Sequence, residues 1–83
     1  MRARSYFGLG QAAAARDRSE EAARYFMSVA VLYDDPELTP EALYRAAEAF
    51  QKLGRAGDRD KALAELRQRY PQSSWAAQPA PGA

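Results

Sequence analysis

The 83-residue chain contains no cysteine and no histidine. Disulfides, thiol nucleophiles, zinc sites with Cys or His ligands and Ser-His-Asp triads are therefore excluded. The missing thiols leave the redox compartment open. Charge of one sign is also lacking: 12 basic residues stand against 11 acidic ones, a net charge of +1, which argues against electrostatic capture of nucleic acid. No block of like charge occurs, and Arg16, Asp17, Arg18, Glu20 and Glu21 alternate roughly in sign, as on a solvated surface. No run approaches the roughly 18 apolar residues that a membrane span needs. The stretch from Met1 to Ala15 has only a faint likeness to a signal peptide, because Gln11 and two glycines interrupt its apolar part. A chain of this size buries only about 60% of its unfolded surface, so its packing must be good or a neighbour must help.

What is present is a pattern stated twice. Tyr6, Leu9, Gly10 and Ala13 fall at i, i+3, i+4 and i+7, and Leu43, Ala46, Ala47 and Phe50 repeat that spacing 37 residues later. Ala22 and Phe26 reappear as Ala62 and Leu66, 40 residues on. Each set lies on one stripe of a helix, with the small residue where another backbone must come close. Two helices per unit at this period predict an array of helical hairpins.

The first helix is expected from about Ala3 to Ala15, with Tyr6, Leu9, Gly10 and Ala13 inward. Arg16-Asp17-Arg18 makes the turn, and Ser19 is the expected N-cap, with Glu20 and Glu21 suiting the positive end of the helix dipole. The second helix carries Ala22, Tyr25, Phe26, Val29 and Tyr33 on one face and ends near Asp34-Asp35-Pro36. Thr39-Pro40-Glu41 opens the third with an N-cap threonine, and Gly54 stops it. Gly57 turns the chain and Asp58 caps a fourth helix from Arg59 to about Tyr70. A turn three residues longer in the second hairpin would reconcile the shifts of 37 and 40. The prediction is all-α: repeat one over 3–36, repeat two over 39–77, and a disordered Pro/Ala tail over 78–83.

This pattern resembles the tetratricopeptide repeat (TPR) family. Tyr6, the Leu9-Gly10 pair, Ala22 and Phe26 match its first unit, with Ala13 replacing the usual aromatic; Leu43, Ala47, Phe50 and Pro71 match the second. Gly57-Asp58, Ala62, Tyr70-Pro71 and Ser74-Trp75-Ala76 look like the longer-period variant of bacterial envelope proteins. The resemblance implies a two-hairpin α-solenoid fragment whose first helices line a concave groove for a peptide or partner protein. Carried onto this chain, the groove residues are Arg4, Phe7 and Gln11 from one unit and Glu41, Tyr44, Glu48, Gln51 and Lys52 from the other. Phe7 and Tyr44 stand 37 residues apart, so each repeat offers one aromatic at the same place. Two readings stay open: anchors in a groove, or rings that complete a thin core. Phe7 and Gln11 depart from the basic, Asn-rich set with which some members clamp a terminal carboxylate, which argues against such a clamp. As written the chain reads as cytoplasmic; as part of a longer protein it would belong to the periplasm or cell envelope.

Other chemistry finds no footing. Asp34, Asp35 and Glu37 lack the glycine-punctuated loop of a calcium site and precede or follow a proline as turn residues do. Glu20 and Glu21 are adjacent on a helix and point apart. Gly8-Leu9-Gly10 follows no strand, so it is no phosphate loop. Arg55, Arg59, Arg67 and Arg69 are interleaved with Asp58, Asp60 and Glu65, as in a solvated face. The expectation is a non-catalytic interaction scaffold with a protein or peptide partner, no nucleic acid, no cofactor and no metal. About three repeats are normally needed for stability. The alternatives are therefore a self-associating module, joined through Tyr70 and Trp75 into an oligomer, or a regulatory subunit of an envelope complex.

Overall fold

The structure, a computed structural model, describes residues 2–81. Within them the chain forms α1 (Arg2–Ala15), α2 (Ser19–Leu32), α3 (Thr39–Lys52) and α4 (Ala56–Arg69), each 14 residues long. The described residues contain no strand. Consecutive helices pack on one another, α1 on α2, α2 on α3 and α3 on α4. The all-α prediction stands.

The two hairpin turns are built alike. In the first, the Asp17 N–H donates to Ala14 O at 3.0 Å and the Arg18 N–H to Ala13 O at 2.9 Å. In the second, the Gly54 N–H donates to Gln51 O at 3.1 Å and the Arg55 N–H to Phe50 O at 2.9 Å. This is the Schellman pattern, which satisfies the last carbonyls of a helix by placing one residue in the left-handed region. Gly54 takes that position at φ 75° and Asp17 at φ 60°. A short polar side chain is among the few that tolerate it.

Both turns have three residues, so the second is no longer than the first. The helices repeat at 37 throughout: Arg2 to Thr39, and Ser19 to Ala56. The expected pairing of Ala22 and Phe26 with Ala62 and Leu66 gives way to the same shift of 37, at which the buried Leu63 and Leu66 stand where the first hairpin has the buried Phe26 and Val29. The fourth helix thus starts three residues earlier than predicted. Gly57 and Asp58 lie in its exposed first turn rather than in the loop.

The predicted caps also shift. Ser19 and Thr39 are the first residues of their helices, preceded by Arg18 and Leu38 without side-chain caps. Thr39 instead ties the loop between the hairpins: its hydroxyl accepts the Asp35 N–H at 3.0 Å and donates to Tyr33 O at 3.3 Å. Asp35 Oδ1 in turn accepts the Glu37 and Leu38 N–H groups at 2.8 and 3.1 Å. That carboxylate is a turn-former, as such residues before a proline commonly are.

The core is thin and alanine-rich. Phe26, Val29, Leu43 and Leu66 are its fully buried large side chains, surrounded by Ala22, Ala23, Ala42, Ala46, Ala47 and Ala62. A Cβ on Gly10 would lie 2.7 Å from the Phe26 ring, so the small residue of the first stripe admits a side chain, not a backbone. Leu9, expected inward, is 47% exposed at the rim of a shallow depression beside Ala12 and Tyr25. The first helix has packing partners on one side, so its buried arc turns toward Phe7, Gly10 and Ala13.

Candidate partner-binding groove

A cleft of about 170 Å³ opens between the C-terminal end of α1 and the length of α3. Ala14 forms one wall, Ser19, Ala22 and Phe26 of α2 the floor, and Arg45, Glu48, Ala49 and Lys52 the opposite wall. The cleft exists because its walls are low: alanines at 14, 22 and 49 leave space that larger side chains would fill. The α3 wall follows from the i, i+3, i+4, i+7 spacing of its four residues, which puts them on one face. Arg45 is fixed there by Glu41, with Nε to Oε2 at 2.8 Å. Glu48 and Lys52 join no ion pair among the described residues, and both are exposed. The cleft therefore offers one carboxylate and one ammonium beside an apolar floor.

The two aromatics that the sequence put in one place have different fates. Phe7 is 8% exposed and packs edge-on against Phe26, ring centroids 5.4 Å apart at 65°. It completes the core, the second of the two readings, and cannot serve as an exposed anchor. Tyr44 is half-buried and lies against Trp75, with centroids 5.4 Å apart, while its hydroxyl donates to Pro79 O at 2.7 Å. The Arg45 guanidinium sits over the Trp75 ring at 5.8 Å. The C-terminal stretch thus runs across the face where Tyr44 was expected to stand free.

The remaining predicted residues are spread over this surface. Arg4 and Gln11 are exposed on α1 and do not line the cleft. Gln51 is half-buried, its Oε1 accepting from Arg59 Nη1. Glu48 and Lys52 are the two that the cleft wall contains. Arg45 escaped the sequence analysis although it walls the cleft and holds Trp75. Its place one residue after Tyr44 and four after Glu41 was the available signal. Pro79 and Ala80 escaped because composition alone describes them as tail. Residues 78–81 lie within the described structure, with Ala80 against the Ala47, Ala62 and Leu63 cluster, and residues 82–83 lie outside it.

Tyr70 and Trp75, the expected self-association pair, are both half-buried and both engaged. The Tyr70 hydroxyl donates to Asp34 Oδ1. Arg69 braces the same corner, reaching Ala30 O at 3.0 Å, Glu65 Oε2 at 2.7 Å and Asp34 Oδ1 at 3.3 Å. The hydrogen bond from Tyr70, and then Arg69, hold the Asp34 carboxyl below its ordinary value. Burial and the Asp34 contact push the Tyr70 phenol up. These groups tie α4 to the end of α2, a structural role.

Comparison with known proteins now bears on the whole. Residues 41–73, most of the second hairpin, match the tetratricopeptide repeat family. A relative described as a TPR repeat-containing protein, from Treponema pallidum (strain Nichols), is 36% identical over 72 residues, which is 87% of this chain and 30% of the relative. The chain thus spans less than a third of that protein's length. No solved structure matches. The matches and the helical-hairpin architecture show that the chain carries a tetratricopeptide repeat, in general a protein-interaction module.

Proposed function

We propose, for a chain that carries a tetratricopeptide repeat, that it is a non-catalytic adaptor holding a segment of a partner protein in the cleft between α1 and α3. The observation that carries this is the cleft wall itself: Glu48 and Lys52 join no ion pair among the described residues and stand beside a mostly apolar floor closed by Phe26. Paired opposite charges at a rim select register and orientation more than they add affinity, while the floor supplies burial. A photo-crosslinking residue placed at Glu48 or Lys52 in the producing cell is expected to yield one discrete protein adduct. The same residue at Arg24, on the exposed side of α2, should yield none. Equal adducts at all three positions, or none at the cleft, would refute the proposal.

A second reading, self-association, is favoured by one observation. Val31 and Leu32, adjacent at the end of α2, are 75% and 60% exposed. Sedimentation equilibrium of the wild type and of Val31→Ser/Leu32→Ser tests it. A dimer in the first that dissociates in the second supports the reading; a wild-type monomer at high concentration rejects it.

A further inference from the structure

We propose that the Tyr44 face is a binding site for a turn-forming, proline-containing segment bearing an aromatic side chain, and that residues 73–80 of this chain are its resident internal occupant, which a partner segment of the same chemistry displaces. The proposal rests on the cleft reading only through Arg45, which walls the cleft and covers Trp75.

The way the segment is held carries the inference. Beyond α4 the chain forms neither helix nor strand over its described residues. Its own main-chain bonds are local turns: the Ser73 N–H donates to Tyr70 O, the Ala76 N–H to Ser73 O and the Gln78 N–H to Trp75 O. Among the described residues, no main-chain bond joins it to α3. Its attachments are instead those of a bound peptide. Trp75 lies on the Tyr44 ring beneath Arg45, and Ala76 packs on the Leu43 and Leu66 cluster. Ala80 packs on Ala47 and Leu63, and the Tyr44 hydroxyl donates to the main-chain oxygen of Pro79.

Each contact has a counterpart in recognition chemistry. A ring packed at a tilt of 44° on tyrosine and capped by guanidinium is selected for its π surface. A phenol that bonds a main-chain carbonyl accepts any residue there. The proline at that position keeps the segment out of the helix and lowers the entropy cost of holding it in place. Trp75 remains only half-buried and Gln72, Ser74 and Gln78 are exposed, so the segment covers the face without merging into the core. Tethering gives an internal segment an effective concentration on the order of millimolar. A free peptide meets that competition in the wild type and escapes it when the tether's anchor is removed.

The test uses the full chain and a fluorescein-labelled peptide, Ser-Ser-Phe-Ala-Ala-Gln-Pro-Ala-Pro, in fluorescence anisotropy. Trp75→Ala is expected to bind the peptide at least tenfold more tightly than the wild type. Adding Tyr44→Ala to Trp75→Ala should abolish that binding, and a peptide with both prolines replaced by alanine should bind at least fivefold more weakly. Equal peptide affinity in the wild type and in Trp75→Ala, with far-UV circular dichroism unchanged, would overturn the proposal. Should Trp75→Ala fail to fold, Tyr44→Phe decides, because it removes only the hydroxyl. Trp75 is the single tryptophan, and its acrylamide quenching is expected to rise at least twofold in that variant; unchanged quenching would overturn the proposal. Absence of adducts at Glu48 and Lys52 would sink the cleft reading alone, since the anisotropy experiment does not involve those residues.

Discussion

Two glycines two residues apart, Gly8 and Gly10, make the packing account testable by a matched pair of substitutions. A Cβ on Gly8 would meet nothing within 4 Å. Ala there should stabilise by about 1 kcal/mol, the helix-propensity difference between the two residues. A Cβ on Gly10 would lie 2.7, 2.8 and 3.0 Å from three atoms of the Phe26 ring. That ring is 1% exposed and held edge-on by Phe7, so yielding to a new Cβ would cost it that contact. Overpacking of this kind costs about 1–3 kcal/mol, which cancels or exceeds the propensity gain. Gly10→Ala should therefore lie about 1–3 kcal/mol below Gly8→Ala. In thermal unfolding followed by far-UV circular dichroism that is a gap of at least about 4 °C for a domain of this size. The second repeat suggests a compensation, because Ala47 and Leu63, 37 residues after Gly10 and Phe26, pack together in one cluster. Adding Phe26→Leu to Gly10→Ala should recover part of the loss, a coupling that a double-mutant cycle measures. Equal melting temperatures for the two alanine variants would refute the close approach of Gly10 to Phe26.

The two Schellman turns predict opposite responses to opposite changes: Gly54→Ala should cost about 1–2 kcal/mol and Asp17→Gly should gain up to about 1 kcal/mol in urea denaturation. Leu43→Ala should cost about 2–5 kcal/mol, while Leu9→Ala, at an exposed site, should stay within about 0.5 kcal/mol in the same assay. The Asp34 carboxyl is depressed in the folded state, so its contribution is present above its unfolded value and is lost as the pH falls through the folded one. Stability measured from about pH 5 to about pH 2 should therefore fall less steeply in Asp34→Asn than in the wild type; identical slopes would contradict the Tyr70–Asp34 contact.

Much of this fold was legible because the second repeat spells its stripe with unambiguous sizes. Leu43, Ala46 and Ala47, and then Ala62 and Leu66, all reach the core. Leu9 was misplaced because periodicity gives a helix face but not the number of neighbours that cover it, and α1 has them on one side. The second turn was misread because Ala22 and Phe26 were matched to Ala62 and Leu66, whereas Leu63 and Leu66, 37 residues after Phe26 and Val29, are also buried and need no longer turn. Gly57 and Asp58 look like a turn and a cap, yet they occupy the first turn of α4, where an acid is also favoured. Ser19 and Thr39 have the chemistry of caps, but the chain enters both helices one residue earlier. In the candidate groove, the equivalence of Phe7 and Tyr44 was visible as spacing. Their divergence was not, because it depends on Phe26 behind one ring and on Trp75 and Pro79 in front of the other. Arg45 became a site residue only when the C-terminal segment was seen to lie beneath it.

The central claim is that the α3 side of the hairpin pair is a protein-binding surface, with Glu48 and Lys52 on the cleft wall and Tyr44 beneath the C-terminal segment. Chemical-shift mapping of the 15N-labelled full chain, with the partner segment recovered from the crosslinked adduct, tests it most directly. The account predicts that the largest amide shifts fall at Tyr44, Arg45, Glu48, Ala49 and Lys52, with the Trp75 indole moving as the internal segment leaves. Shifts confined to Val31, Leu32 and the outer side of α2, with those residues and Trp75 unmoved, would contradict it.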